Sequence, residues 1–180
     1  MAELAPVDVE NYTQGRLDKD DPETARMLTA ALAAARRYCG WHVTPVLTDV
    51  EVVVDGPDGP VLSLPTLNLI SVSAISESGA SLDVSQLDVS RRGSVRHPYG
   101  CWTGRYDAIS VTMTHGFTET EAADWRMAVL ASVDLADRAS SHSALTAIGP
   151  FQFGASTFLG SQFGESELAT FSAYRIMLAP

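Results

Sequence analysis

The sequence has 180 residues, 46% of them hydrophobic, and a formal net charge of −10 from 12 Lys and Arg against 22 Asp and Glu. This length fits one ordinary domain with one or two appendages, and the hydrophobic fraction is too high for a chain that is disordered throughout. The negative charge opposes attraction to a phosphate backbone, and no stretch approaches the roughly 20 consecutive apolar residues of a membrane helix, so neither a nucleic-acid reader nor a membrane protein is expected.

The first strong signal along the chain is a helix start at residues 21–23 (Asp-Pro-Glu). Asp is a favoured N-cap, Pro fits the first helical turn, and Glu suits the positive end of the helix dipole. Apolar side chains then follow at helical spacing, with Leu28 and Leu32 on one face, and Gly40 supplies the left-handed residue that ends many helices. We predict a helix over residues 22–39.

Between residues 46 and 115 the apolar side chains recur at every second position. Clear examples are residues 50–54 and 109–113, and Gly-containing turns separate the alternating runs. This period is typical of half-buried strands. We predict an antiparallel β region of about four to six short strands.

A second helix is predicted at about 119–140. Residues 118–121 (Thr-Glu-Thr-Glu) have the spacing of a capping box, and Trp125, Val129 and Val133 continue an apolar stripe. The alanine-rich first helix is the expected partner for this stripe. We therefore predict an α+β fold: an antiparallel helix pair as scaffold, an inserted antiparallel β region and an extended C-terminal arm.

The composition changes after about residue 145, where Gly, Ser and Phe predominate. Five of the six Phe residues lie in the last 30 positions, among glycines that disfavour regular structure. Large apolar side chains on such a segment favour docking onto another molecule. We predict a core over 1–145 and a docking arm over 146–180. The predicted partner-binding residues are Phe151, Phe153, Phe158, Phe163, Phe171, Tyr174 and Arg175.

Four residues are candidates for metal chemistry: Cys39, His42, His97 and Cys101. Their C-x2-H and H-x3-C spacings are compatible with a tetrahedral zinc site. Three interpretations stay open, namely thiols packed on aromatic rings, which we favour, a cystine formed after release, and zinc. No nucleophile motif accompanies His115, and no Gly-Lys-Ser/Thr phosphate loop occurs. We therefore expect no enzyme, no cofactor and no metal.

The most basic part of this acidic chain contains Arg91, Arg92, Arg96 and Arg105. These arginines have two interpretations. They form a solvated hairpin face, or they meet acidic patches on a neighbouring subunit, because Arg is favoured at protein interfaces.

Seven segments in order along the chain resemble the head-tail connector, or adaptor, proteins of tailed phages that infect actinobacteria. The segments are 11–17 (NYTQGRL) with 20–22 (DDP), 36–45 (RRYCGWHVTP), 61–67 (VLSLPTL), 100–103 (GCWT), 114–117 (THGF), 149–151 (GPF) and 174–175 (YR). The resemblance covers nearly the whole chain.

The resemblance implies a helical scaffold with a β insertion, assembled as a ring, commonly of twelve copies, in the neck of the virion. The expected partners are the portal protein, which the C-terminal segment embraces, the next neck ring, called the stopper, and other copies of the chain. DNA is expected to pass without sequence-specific binding, and synthesis is expected in the host cytoplasm. The alternatives are a stopper or tail-completion protein and, from another class, a metal-dependent enzyme.

Overall fold

The computed structural model describes residues 3–142, 147–148, 151–152 and 163–177. The chain divides into two compact units. A helical unit comprises residues 3–39 and 123–175, and a β unit comprises residues 40–122 with the ends of the chain. The α+β class predicted from the sequence is confirmed, with four helices and antiparallel sheets in the described parts of the chain.

The helical unit contains four helices. They are α1 (Pro6–Tyr12), α2 (Pro22–Cys39), α3 (Ala123–His142) and α4 (Glu165–Ala173). Arg16, ahead of α2, forms salt bridges with Asp134 and Asp137 late in α3. Cys39 at the end of α2 contacts Trp125 near the start of α3. The two long helices therefore run antiparallel, as predicted. None of the described helices is both long and apolar enough to cross a membrane.

The ends of α2 follow the sequence signals. Asp21 accepts a hydrogen bond from the backbone N–H of Glu23 at 2.8 Å, and Gly40 follows the helix with φ +81°. The capping box before α3 also forms, because Thr118 and Glu121 bond reciprocally. This box closes a separate turn, however, and α3 begins at Ala123 rather than at 119.

The β unit contains seven strands in two antiparallel sheets. The strands are β1 (Leu47–Val54), β2 (Val61–Ser63), β3 (Leu69–Glu77), β4 (Ala80–Leu82), β5 (Asp88–Val89), β6 (Ser94–Arg96) and β7 (Ile109–His115). One sheet has the order β1-β7-β3-β4 and the other β2-β6-β5. A further short pair, β8 (Ala147–Ile148) and β9 (Phe151–Gln152), belongs to the C-terminal part of the chain.

The two sheets of the β unit share one core. Alternation along β7 buries Ile109, Val111 and Met113 completely, because successive side chains of a strand lie on opposite faces. Leu62 of β2 and Val95 of β6 join this core from the smaller sheet. The predicted boundary between a core and an arm at 145/146 stays a prediction, since residues 143–146 lie outside the described residues.

Candidate functional site

The most exposed aromatic side chains in the described parts of the chain lie between β6 and β7, in residues 97–108, here called the tyrosine loop. Tyr99 is 91% exposed and Tyr106 is 85% exposed. Cys101 and Arg105 are exposed in the same loop. Tyr and Arg are among the residue types that carry most of the binding energy at protein interfaces. The tyrosine loop is therefore a candidate interaction surface.

A buried tryptophan anchors the tyrosine loop. Trp102 is 1% exposed and belongs to the β core, and its ring lies edge-on to that of His97 with centroids 5.7 Å apart. The backbone N–H of Trp102 donates to Gly59 O at 2.9 Å, and the N–H of His97 donates to Pro60 O at 2.8 Å. A loop held in this way loses less conformational freedom when it binds, which favours affinity.

The connection between β1 and β2, residues 55–60, runs beside the tyrosine loop. The backbone N–H of Gly56 donates to Arg105 O at 2.9 Å. A Cβ atom at Gly56 would lie 1.8 Å from Thr103 O, so this position has no room for a side chain. Close approach of the two backbones therefore fixes the segment that presents Arg105 and Tyr106.

The four arginines predicted at subunit contacts occupy three places. Arg91 and Arg92 lie in the turn between β5 and β6. Arg96 ends β6, and Arg105 lies in the tyrosine loop. All four are exposed, and none forms a salt bridge with another residue that the structure describes. Their role between subunits stays a prediction.

Three of the predicted docking residues lie inside the helical unit. Phe171 is fully buried, with its ring centroid 4.9 Å from that of Phe163 and 6.1 Å from that of Trp125. Phe163 and Tyr174 are also buried. The premise that the C-terminal aromatic rings have no place in their own subunit is therefore wrong for Phe163, Phe171 and Tyr174. The reason is that residues 165–173 contain no glycine and form α4, whose inner face packs on α3.

The surroundings of α4 confirm this internal role. The hydroxyl of Tyr174 donates to Asp124 at 2.5 Å, and burial together with this carboxylate raises the pKa of Tyr174 well above its ordinary value. The Cys39 thiol lies 3.7 Å from Phe171 O, and burial raises the pKa of that thiol. The segment around α4 is thus part of the core of the helical unit.

The remaining docking residues are Phe151, Phe153, Phe158 and Arg175. Phe151 lies in β9, and Phe153 and Phe158 lie outside the described residues. Arg175 is exposed, and its guanidinium carbon lies 5.2 Å from the ring centre of Tyr38, a cation–π distance. Contact of these residues with a partner stays a prediction.

The cysteine and histidine candidates are found in separate environments. Cys39 is a buried free thiol of the helical unit, whereas Cys101 is an exposed free thiol of the tyrosine loop. His97 packs on Trp102, and His42 packs on His115. Within the described ranges, no three His, Cys, Asp or Glu side chains form a group that could hold a metal ion.

His115 is a core side chain at the end of β7. It is 4% exposed, and its ring lies 4.4 Å from that of His42 and stacks on that of Trp41 at 6.4 Å, measured between centroids. Burial, and secondarily the charge of His42, lowers the pKa of His115 to about 4. The side chain is therefore neutral near pH 7 and stabilises the β unit by packing.

Sequence reasoning missed Tyr99 and Tyr106. A signal was present, because residues 99–106 place two tyrosines around a Gly-Cys-Trp-Thr-Gly stretch between two alternating runs. Trp102 anchors the loop because it is buried, so it cannot also form the exposed aromatic surface. The two tyrosines that flank this stretch were the recognisable feature.

The helical unit and the two-sheet β unit together define an α+β fold that is found in known particles. No protein-family model and no curated protein matches this sequence. A chain of a solved structure described as the neck of a native GTA particle, computed with C12 symmetry, is 13% identical with a TM-score of 0.56. The alignment covers 100% of this chain and 95% of that chain.

A chain from the neck of an empty GTA particle, computed with C6 symmetry, is also similar. It is 16% identical with a TM-score of 0.58, and the alignment covers 98% of this chain and 91% of that chain. At these identities the likeness establishes the fold, over nearly the full length of both chains.

Proposed function

We propose that this protein is a structural component of the neck of a phage-like particle, and not an enzyme. The observation that carries the proposal is the fold shared with two neck chains over at least 91% of every chain aligned. A match of such length includes the helical unit, the β unit and their order in the sequence. The localisation that follows is the virion.

Within the neck, we propose the role of head-to-tail adaptor. Twelve copies form a ring that joins the portal to the next neck ring, or stopper, and lets DNA pass. Two observations support this finer assignment: the C12 symmetry of one similar neck, and the seven ordered segments that resemble phage adaptors. The net charge of −10 suits the passage of DNA, because it opposes adhesion to the phosphate backbone.

The proposed portal-binding residues are now fewer than the sequence predicted. A side chain buried in its own subunit cannot insert into a partner without unfolding the site it leaves, which excludes Phe163, Phe171 and Tyr174 as anchors. Phe151, Phe153 and Phe158 remain as the proposed anchors, because they lie in the glycine-rich stretch between α3 and α4. Burial of two Phe side chains contributes several kcal/mol to the binding free energy of one arm, at about 25 cal/mol per Å² of apolar area. Because all copies in a ring bind together, the ring binds more tightly than a single arm.

The alternative role in the neck is a tail-completion or stopper protein. The second similar neck was computed with C6 symmetry, which both six and twelve copies satisfy, so the number of copies has to be counted directly. The metal-dependent enzyme has no supporting group of ligands among the described residues.

The test of the proposed function is to locate the chain in the particle. Particles that contain it are purified, and the neck is reconstructed by cryo-electron microscopy without imposed symmetry. We expect twelve copies in the ring directly below the portal. Six copies, or a more distal ring, would support the tail-completion alternative, and absence from the particle would refute a structural role.

A second test addresses the portal-binding residues. The triple variant Phe151→Ser, Phe153→Ser, Phe158→Ser should fold normally and lose attachment to portal-containing heads. The matched control is Val53→Ser, Ile70→Ser, Val89→Ser, which removes three exposed apolar side chains from the β unit. Attachment of the Phe variant at wild-type level would refute the role of the arm.

A further inference from the structure

The helical unit carries an open groove beside α3 and α4 with a volume of about 430 Å³. Its lining combines apolar side chains, carboxylates and one arginine: Tyr12, Ala131, Leu135, Asp134, Glu165, Glu167 and Arg138. Ala131 and Leu135 are half-buried on α3, and Glu165 and Glu167 lie in the first turn of α4. This volume lies at the lower end of the range of binding pockets and is sufficient for one aromatic side chain.

The carboxylates of this groove differ in their partners. Asp134 forms salt bridges with Arg16 and Arg138. Glu165 and Glu167 form no salt bridge with any residue in the described part of the chain, although Ser166 donates a hydrogen bond to Glu167 at 2.8 Å. The groove therefore presents two carboxylates that form no salt bridge with a described residue, and Arg138 in the same lining is paired with Asp134.

The tyrosine loop has the complementary properties. Tyr106 is 85% exposed, and the neighbouring Arg105 is exposed and forms no salt bridge within the described ranges. The backbone on either side is held by the Trp102 anchor and by Gly56. A rigid loop that presents an aromatic ring beside a cation matches an apolar groove with a carboxylate rim.

We propose that the tyrosine loop of one copy docks into the groove beside α3 and α4 of the next copy. The ring of Tyr106 packs on Ala131 and Leu135, and the guanidinium of Arg105 pairs with Glu165 at the rim. The two surfaces belong to different residues of the chain, so the contact is heterologous. Repetition of such a contact closes a ring when a whole number of copies completes one full turn. This inference rests on the proposed function, since a neck ring requires contacts of this kind.

The first test is a charge exchange measured by sedimentation velocity of the full chain over a concentration series. Arg105→Glu and Glu165→Arg should each weaken self-association by roughly tenfold, because each creates a like-charge contact at the interface. The double variant Arg105→Glu, Glu165→Arg reverses the pair and should restore the dissociation constant to within about threefold of wild type.

The matched control for charge is Arg37→Glu, which makes the same change at an exposed arginine of α2, outside both surfaces of the proposed contact. The control for exposed apolar surface is Ile70→Ala, compared with Tyr106→Ala. We expect both controls to associate as wild type and Tyr106→Ala to associate more weakly. Circular dichroism of each variant establishes that the fold is retained.

The second test identifies the contact directly. Tyr106 is replaced by p-benzoyl-phenylalanine, the variant is mixed with ¹⁵N-labelled wild-type chain, and irradiated products are mapped by mass spectrometry. We expect crosslinks between a labelled and an unlabelled peptide, with the labelled partner at residues 131–138 or 163–167. Crosslinks confined to one copy, or to other residues, would overturn the proposal.

Three further results would overturn the inference: no recovery in the charge-exchanged variant, equal effects of Arg37→Glu and Arg105→Glu, or a wild-type chain that stays monomeric up to about 1 mM. These failures are distinguishable from failure of the proposed function. A particle with twelve copies below the portal, but without the crosslink, would retain the function and exclude only this contact.

Discussion

The two units of the chain use their charged residues differently. Every salt bridge among the described residues lies in the helical unit, as in the pairs of Arg16 with Asp134 and Arg36 with Glu3. All four arginines of the β unit lie between positions 91 and 105, and none has such a pair. The arginines of the helical unit that form these salt bridges are thus engaged within the fold, whereas the arginines of the β unit form none and are proposed for contact with a second molecule.

The aromatic residues show the same contrast. The helical unit buries Trp125, Phe171 and Tyr174 around α4. The β unit buries Trp102 but exposes Tyr99 and Tyr106 on either side of it. An aromatic ring that is exposed to water does not stabilise its own subunit. We therefore expect such a ring to stabilise a contact with another molecule in an assembly. The comparison therefore separates residues that maintain the fold from residues that we propose for binding.

The largest effect that tests this separation is expected from Phe171→Ala. Removing a fully buried Phe side chain costs about 3 to 5 kcal/mol of the free energy of unfolding. Tyr106→Ala should change the same quantity by less than about 0.5 kcal/mol, because the ring is in solvent. Urea titration followed by circular dichroism measures both. Equal losses of stability in the two variants would show that Tyr106 maintains the fold as much as Phe171 does.

The second effect is a loss of stability in acid that originates in the β unit. The pKa of His115 is about 4 in the folded chain and 6.5 as an unperturbed group. Between pH 4 and pH 6.5, the unfolded chain therefore binds a proton at this histidine that the folded chain does not bind. Stability consequently falls as the pH falls from 6.5 towards 4. The full shift corresponds to about 3 kcal/mol.

This dependence is measured as the free energy of unfolding at a series of pH values, in wild type and in His115→Gln. The variant is expected to be less stable near pH 7, because a packed ring is lost, and to show a smaller slope between pH 6.5 and 4. His97→Gln is the control at another histidine of the β unit. An unchanged slope in His115→Gln would assign the acid sensitivity to other groups.

The sequence predicted those features of the fold that local chemistry determines. As expected, α2 begins after Asp21 and ends before Gly40. The alternation of apolar and polar residues correctly located β7. The helix α1 was not predicted, because its seven residues give too short a pattern, although Pro6 and Asp8 are suitable for a first turn. The placement of Phe171 in the helical core was also not predicted, since it depends on a contact with Trp125, 46 positions earlier in the chain.

The candidate site was less predictable than the fold. Arg105 was recognised as a basic residue, but its neighbours in space come from the connection at Gly56, far away in the sequence. Trp102 is buried, whereas Tyr99 and Tyr106 are exposed to solvent. No periodic pattern in the local sequence predicts which of the three aromatic side chains is buried. Tertiary contacts, rather than residue type, therefore define the tyrosine loop.

The third effect addresses the rigidity of that loop. Gly56→Ala places a Cβ where the nearest atom, Thr103 O, is 1.8 Å away, so the two backbones must separate. We expect a loss of about 1 to 3 kcal/mol in the free energy of unfolding. Gly59→Ala is the matched control, because its Cβ would meet its nearest neighbour at an ordinary 3.7 Å. Equal stability of the two variants would show that the loop adjusts freely.

The smallest effect tests the contrast of charges itself. Arg16→Ala removes two salt bridges of the helical unit, with Asp134 and Asp137, and should cost up to about 1 kcal/mol, since these groups are partly exposed. Arg92→Ala removes an exposed arginine without a salt bridge and should change stability by less than about 0.3 kcal/mol. The cost at Arg16 should diminish as salt is raised, because added ions screen the pair. If Arg92→Ala were the more destabilising change, the arginines of the β unit would be engaged within their own fold, and the argument for a partner at that surface would lose its electrostatic basis.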